Sequence, residues 1–267
     1  MERRGAIEKA VLLIPVVIAC VMLGRYASER AGQRAMLEAV GRDDAPEVIR
    51  LLDRGIDPRR AKPRGAAPIS LAASARANKT LAALLKRGER PALDDIAAPA
   101  LRGDSEMVDT LLKAGADPNA HTRGLVPLML ELASERNTPM MARLLQAGAN
   151  PNVVSKVAWN KPLGCTPLMA STLAINPTGV IALLHARCHV NDRIDDPTSV
   201  WNGYTALMMG VHMRDLRSVK MLVQAGARTD IRGADGETAG SLAKRTGSKE
   251  IVALTANSAR PRTAILR

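Results

Sequence analysis

The chain has 267 residues, of which 46% are hydrophobic, yet it contains no phenylalanine, two tryptophans and two tyrosines, and its formal net charge is +12. So few rings exclude a thick aromatic core and leave alanine, leucine and methionine to fill thin interfaces between close-packed helices. No alternating β-branched run of the kind a sheet needs occurs, so the sequence reads as all-α.

The first element is apolar. After MERRGAIEK comes AVLLIPVVIACVMLG, residues 10–24, uncharged throughout and broken only by Pro15. At 1.5 Å per residue such a run covers about 22 Å against a bilayer core of about 30 Å. Extended from Ile7 to Ala27, with Lys9 and Arg25 snorkelling to the headgroups, it becomes long enough to span. Residues 1–29 therefore read as a single-pass membrane anchor, because Tyr26 and arginine follow the run instead of a small-residue cleavage site. Two alternatives stay open: a cleaved secretory signal, and a bacterial lipoprotein box at Val17-Ile18-Ala19-Cys20, although VML continues the apolar run beyond that cysteine. Arg3, Arg4 and Lys9 on one side balance Arg25, Arg30 and Arg34 on the other, and the short N-terminal tail favours a cytoplasmic N-terminus. The 28 arginines to 10 lysines, with abundant alanine, hint at a GC-rich bacterial genome, which would place the remainder of the chain in the periplasm.

From residue 30 onward a phrase returns: LLDRGIDP, LLKRGERP, LLKAGADPN, LLQAGANPN, LLHARCHVN and MLVQAGARTD. Its glycines are Gly55, Gly88, Gly115, Gly148 and Gly226, and with Arg187 standing in for the missing one the intervals are 33, 27, 33, 39 and 39 residues. Ahead of several copies sits a second phrase, VPLML from Val126, TPLMA from Thr166 and TALMM from Thr205. Together the two phrases resemble the ankyrin repeat, whose period is about 33 residues. The resemblance implies a solenoid of about seven helix-turn-helix repeats preceded by the N-terminal apolar helix. The units fall at 31–58, 64–90, 94–119, 125–152, 165–191, 204–230 and 237–256, the first and last serving as caps. The repeat domain thus covers 30–256, and a basic tail covers 257–267.

Local chemistry agrees with these boundaries. Thr166 and Thr205 can cap a helix N-terminus, Pro167 suits the first helical position, and each phrase-ending glycine can take the left-handed conformation that stops a helix. Arg187 pays roughly 1 kcal/mol or more for that conformation, so the fifth unit is expected to end its second helix differently. The acidic pairs Asp43-Asp44 and Asp94-Asp95 fall at helix starts or turns, and Met129, Met169, Met208, Met209 and Met213 have the helical spacing of core residues.

Length changes belong in the connecting hairpins, called fingers below, because a helix pair packed between neighbours cannot easily gain or lose six residues. The two long intervals place extended fingers at VVSKVAWNKPLGC and DRIDDPTSVWNGY, which the resemblance sets side by side, while a short finger near Pro91 makes the groove uneven. Both tryptophans, Trp159 and Trp201, lie on the long fingers, with Tyr204 at the base of the second. Lys156 and Lys161 make the first finger basic, and Asp192, Asp195 and Asp196 make the second acidic. These eight residues are the candidate partner-binding set, either as a two-signed docking surface with aromatic anchors or as rings and ion pairs that glue the fingers down.

A competing reading uses Cys165, His185, Cys188 and His189 as nominal metal ligands or as a metal-assisted catalytic group, but no pair has zinc-finger spacing. Cys165 and Cys188 fall at helix ends on one side of a hairpin, where a disulfide or simple packing are both open. His212 falls on a first helix, as packing or a surface contact. No Gly-rich phosphate loop, Gly-x-Ser-x-Gly elbow or His-Glu-x-x-His occurs, so neither enzyme nor cofactor is expected. Scattered arginines without interleaved aromatics argue against nucleic acid, and Lys244, Arg245, Lys249, Arg260, Arg262 and Arg267 read as a solvated end or an anionic-membrane contact. The sequence therefore points to a membrane-tethered protein, held through residues 7–27, that binds another protein through its fingers and concave face. One form of that role is an immunity-like inhibitor that sequesters a partner enzyme.

Overall fold

The computed structural model describes residues 22, 27–57, 59, 67–122, 125–156 and 163–256. Among them the chain is all-helical, with isolated antiparallel bridges in place of strands. It divides into two compact units, one through Asp95 and one from Ile96.

The first unit begins with α1, residues 27–41, whose Met36, Ala39 and Val40 are buried. It continues with α2 (Ala45–Asp53), α3 (Pro68–Ala75) and α4 (Asn78–Lys86), and α4 packs against both α2 and α3. Gly32 lets the Ile56 side chain pack against α1, since a Cβ there would stand 2.5 Å from Ile56 Cδ1 and push that side chain aside. The start of α4 has Ala77 at its cap and no side-chain oxygen of its own. Asp43 supplies one from the turn between α1 and α2, accepting from the Thr80 N–H at 2.8 Å and the Lys79 N–H at 3.1 Å. Burial pushes the Asp43 carboxyl up, but these two backbone donors outweigh it and hold the group below its usual value.

The second unit is a double layer. First helices α5 (Ala97–Leu101), α7 (Leu128–Ser134), α9 (Pro167–Leu173), α11 (Ala206–His212) and α13 (Ala239–Thr246) alternate with second helices α6 (Ser105–Lys113), α8 (Thr138–Gln146), α10 (Pro177–His185), α12 (Leu216–Gln224) and α14 (Lys249–Ala256). Contacts run α7–α9–α11–α13 along one layer and α8–α10–α12–α14 along the other, with each pair closed by a short turn. The first helices in the middle of the stack are short and buried almost all round: six of the seven residues of α11 are buried, as are six of the seven of α9. The second helices bury one stripe, such as Val219 and Leu222 of α12. Thr166 and Thr205 cap α9 and α11 as expected, accepting from the Met169 and Met208 N–H groups, and Pro167 opens α9.

The expectation for Arg187 is corrected. Its φ is 57°, alongside Gly148 at 90° and Gly226 at 87°, so the fifth unit ends its second helix as its neighbours do. Arg187 N–H donates to Leu184 O at 3.0 Å and Cys188 N–H to Leu183 O at 3.2 Å, the pattern Gly148 and Ala149 make with Leu145 and Leu144. Those two bonds, together with burial of Cys188, offset the left-handed strain of a non-glycine residue.

A side-chain ladder ties successive repeats. Asn119 accepts from the Asn150 N–H at 2.7 Å, Asn152 from the His189 N–H at 2.7 Å, and Asn191 from the Arg228 N–H at 2.8 Å. Each bond satisfies a backbone donor just past a helix end, where no helical partner remains.

The single-pass membrane assignment, with repeats in the periplasm, is also corrected: among the described residues no helix is long and apolar enough to cross a membrane. The first long helix, α1, carries Glu29, Arg30, Arg34 and Glu38, which suit an amphipathic helix with one buried face. Apart from Met22, the apolar run 10–24 lies outside the described residues, and so does the tail 257–267.

Candidate functional site

The fingers of the second unit link each second helix to the next first helix. Antiparallel bridges pinch their bases at His121–Pro127, Arg193–Thr205 and Arg232–Thr238. The finger between α8 and α9 closes likewise, with Ser155 N–H donating to Cys165 O at 3.0 Å and Gly164 N–H to Ser155 O at 2.9 Å.

Two glycines let the fingers touch. Gly203 has φ 76°, and a Cβ there would stand 2.7 Å from the Ala234 nitrogen; Gly164 has φ 76°, and its Cβ would stand 2.9 Å from the Asp195 nitrogen. At the corresponding place in the preceding finger stands Leu125, with φ 65° and 70% of its surface exposed. This reflects a register shift. Pro127, and not Val126, takes the position of Thr166 and Thr205, and α7 starts at Leu128.

The finger of residues 192–204 is organised from inside by Asp196. Its carboxylate accepts from the Thr198 hydroxyl at 2.6 Å, the Thr198 N–H at 3.0 Å and, across to the neighbouring finger, the Leu163 N–H at 3.1 Å. The Thr198 hydroxyl first and the Leu163 N–H second hold this carboxyl below its usual value. Asn202 Oδ1 accepts from the Asp196 N–H, and Ser199 Oγ accepts from the Trp201 N–H at 3.1 Å. Asp196 is only 4% exposed, so it lies within the finger and not on an acidic edge.

The rings turn inward. Tyr204 is buried, and its hydroxyl donates to Asp235 Oδ2 at 2.7 Å, joining this finger to the next. Burial, then the Asp235 bond, pushes the Tyr204 phenol up to about 12. Burial raises the Asp235 carboxyl, but the Tyr204 hydroxyl and the Glu237 N–H bring it below its usual value. Trp201 is half-buried, edge-on to Tyr204 at 5.5 Å and to His212 at 4.9 Å. What points outward is Val200, 86% exposed at the tip. Val154 on the preceding finger is 37% exposed.

The other expected residues are dispersed. Lys156 is exposed, Asp192 sits 3.5 Å from His189, and Asp195 is exposed. Trp159 and Lys161 lie outside the described residues. Val200 was not among the candidates from sequence, although Asp-Pro-Thr-Ser is turn chemistry that could have marked the next side chain as leaving the loop.

The metal reading finds no support in the geometry. Cys165 and Cys188 are both buried and not joined to each other, which sets the disulfide aside. Burial raises the Cys188 thiol to about 11. His185 and His189 are exposed, and among the described residues no group of His, Cys, Asp or Glu is arranged to hold a metal ion.

Residues 64–123 and 202–234 match the ankyrin repeat family, and the second segment contains Gly203, Tyr204 and the whole α11–α12 pair. The chain is also similar to neurogenic locus notch homolog protein 4 of Homo sapiens, 35% identical over 127 residues. That alignment takes in 47% of this chain and 6% of the human protein, so the chain spans a small fraction of its relative's length.

Proposed function

We propose that this chain is a protein-interaction module that captures another protein through the fingers of its second unit, above all residues 192–204. Ankyrin repeats imply protein–protein interaction, and residues 202–234, one of the two segments that match that family, include the end of this finger. The observation that carries the finer reading is the tip itself. Val200 is 86% exposed on a loop whose backbone is fixed by Asp196, Ser199 and Asn202. A preformed loop loses little conformational entropy on docking, so an apolar side chain displayed on it is an economical anchor.

Trp201 and Tyr204 support the tip from behind, and Lys156, Asp192 and Asp195 belong to the proposal as polar residues of this finger and the one before it. Trp159 and Lys161 belong to the same proposal by sequence position. A stiff apolar tip also suits insertion into a cleft, so the partner we favour is an enzyme that the chain sequesters or inhibits.

The test is a photo-crosslinking residue placed at position 200 of the full chain, with position 37 in α1, occupied by the half-exposed Leu37, as the control. A discrete adduct at 200 and none at 37 supports the reading. Equal labelling at both positions, or none at 200, defeats it.

A further inference from the structure

We propose that the groove between the finger of residues 192–204 and the following finger, 229–238, receives a carboxylate-bearing segment of the protein partner, gripped by Arg193 and Arg232. This rests on the reading that the second unit docks a protein through its fingers.

The two arginines are equivalent in successive repeats, each forming the bridge opposite its own repeat's capping threonine, Thr205 or Thr238. Both are exposed, and both line one groove with Asp195, Asn202 and Ala234. Asn202 O accepts from the Ala234 N–H at 3.0 Å, and Tyr204 reaches Asp235, so the fingers that carry the two arginines are tied together.

Apart from Asp195 on the rim itself, the nearby aspartates are engaged elsewhere. Asp192 pairs with His189, Asp196 is bonded within its finger, Asp230 pairs with Arg228 at 2.7 Å, and Asp235 accepts from Tyr204. Arg232 donates to the Gly236 carbonyl at 3.0 Å, and among the described residues neither Arg193 nor Arg232 has an ion-pair partner. A guanidinium offers a planar fork of donors that matches a carboxylate, and two of them beside one groove define an anionic subsite.

Asp195 narrows the choice. Its charge on the same rim opposes a continuous acidic run or a phosphodiester backbone, and favours a segment in which a carboxylate alternates with uncharged residues. An apolar residue of that segment would complement Val200 on the same finger.

The experiment pans a displayed library of random peptides over the immobilised full-length chain, then measures synthetic copies of the enriched peptides against three proteins. These are the wild type, a variant with Arg193→Gln and Arg232→Gln together, and a variant with Val200→Asp. All three positions are exposed, and circular dichroism melts confirm that the variants fold. Expected are peptides with Asp or Glu beside an apolar residue, whose affinity falls about tenfold or more in the arginine pair variant and on raising the salt. Replacing the peptide carboxylate by its amide should cause the same loss. Peptides that depend on Val200 but ignore the arginine pair, or that lack a carboxylate, overturn the groove assignment and leave the docking finger standing. Recovery of no peptide above background on the wild-type chain overturns both.

Discussion

Val200 and Trp201 are neighbours in sequence, yet they should respond to substitution in opposite ways. Val200 is 86% exposed and has almost no packing to lose, so Val200→Asp should shift stability by no more than about 0.5 kcal/mol. Trp201 meets Tyr204 at 5.5 Å and 73° and His212 at 4.9 Å and 84°. Edge-on ring pairs contribute roughly 0.5–1.5 kcal/mol each, and because His212 is itself exposed we put Trp201→Ala at about 1–2 kcal/mol. For a unit of this size that is a fall in Tm of roughly 2–8 °C. Binding should show the reverse order. Setting an unpaired carboxylate against a partner's apolar contact costs at least about 2 kcal/mol, roughly a thirtyfold loss of affinity, with no change in melting. Trp201→Phe should recover most of the stability. The assays are circular dichroism melts of the three variants and titration of whichever protein crosslinks at position 200. A Val200→Asp variant that melts as early as Trp201→Ala, or that binds as tightly as wild type, refutes the division of labour.

Three further outcomes follow from the same geometry. Arg187→Gly removes the left-handed strain at the end of α10 and should stabilise the chain by up to about 1 kcal/mol, read from the urea midpoint; a loss would mean that the arginine side chain contributes more than its backbone costs. Asp43, Asp196 and Asp235 have folded values below the unfolded 3.8, so their stabilisation is full above that value and is lost as pH falls through the lower folded values. The urea midpoint should therefore hold level down to about pH 4 and then drop, and a midpoint that climbs on acidification contradicts the assigned hydrogen bonds. At the alkaline end Tyr204 is raised from 10.0 to about 12 and Cys188 from 9.0 to about 11, so the fold favours both neutral forms. That contribution is intact below the unfolded values and disappears as pH rises through the folded ones, and the Cys188 thiol should resist a soluble thiol reagent until the chain is unfolded.

The parts of this architecture that sequence exposes are those with chemical punctuation. Glycine after a leucine pair marks a helix end because few other residues take positive φ cheaply, and the spacing of those glycines located the long fingers. Where the chain accepts strain the signal disappears. Arg76, Arg136, Ile175 and Arg214 all adopt φ between 51° and 61° in the turns within helix pairs, and nothing in their side chains announces it. Rarity drew attention to the tryptophans, but rarity carries no direction. The Trp201 ring packs back against Tyr204 and His212, and the adjacent valine is what solvent meets. Asp196 read as surface charge because carboxylates usually are; three donors converging from Thr198 and Leu163 instead make it the centre of its finger.

The register of α7 shows how local and tertiary preferences compete. VPLML shares Pro-Leu-Met with TPLMA, but Val126 has no side-chain oxygen, and α7 starts without any side-chain cap. Its register is therefore decided at the other end, where Asn137 caps α8 and Arg136 closes the turn at φ 59° while donating to Ala174 and Ile175 O in the next pair. Counting back from that fixed turn puts Leu128, Leu130 and Leu132 in the core at 0% exposure and leaves Leu125 where other fingers have glycine. The buried leucines outweigh one strained residue by several kcal/mol, since each such side chain contributes about 1.5–3 kcal/mol on burial. The displaced strain lands on an exposed leucine, on a finger of the same unit that displays Val154 and Val200. Core packing in one repeat thus helps to set which apolar side chains the fingers expose to solvent.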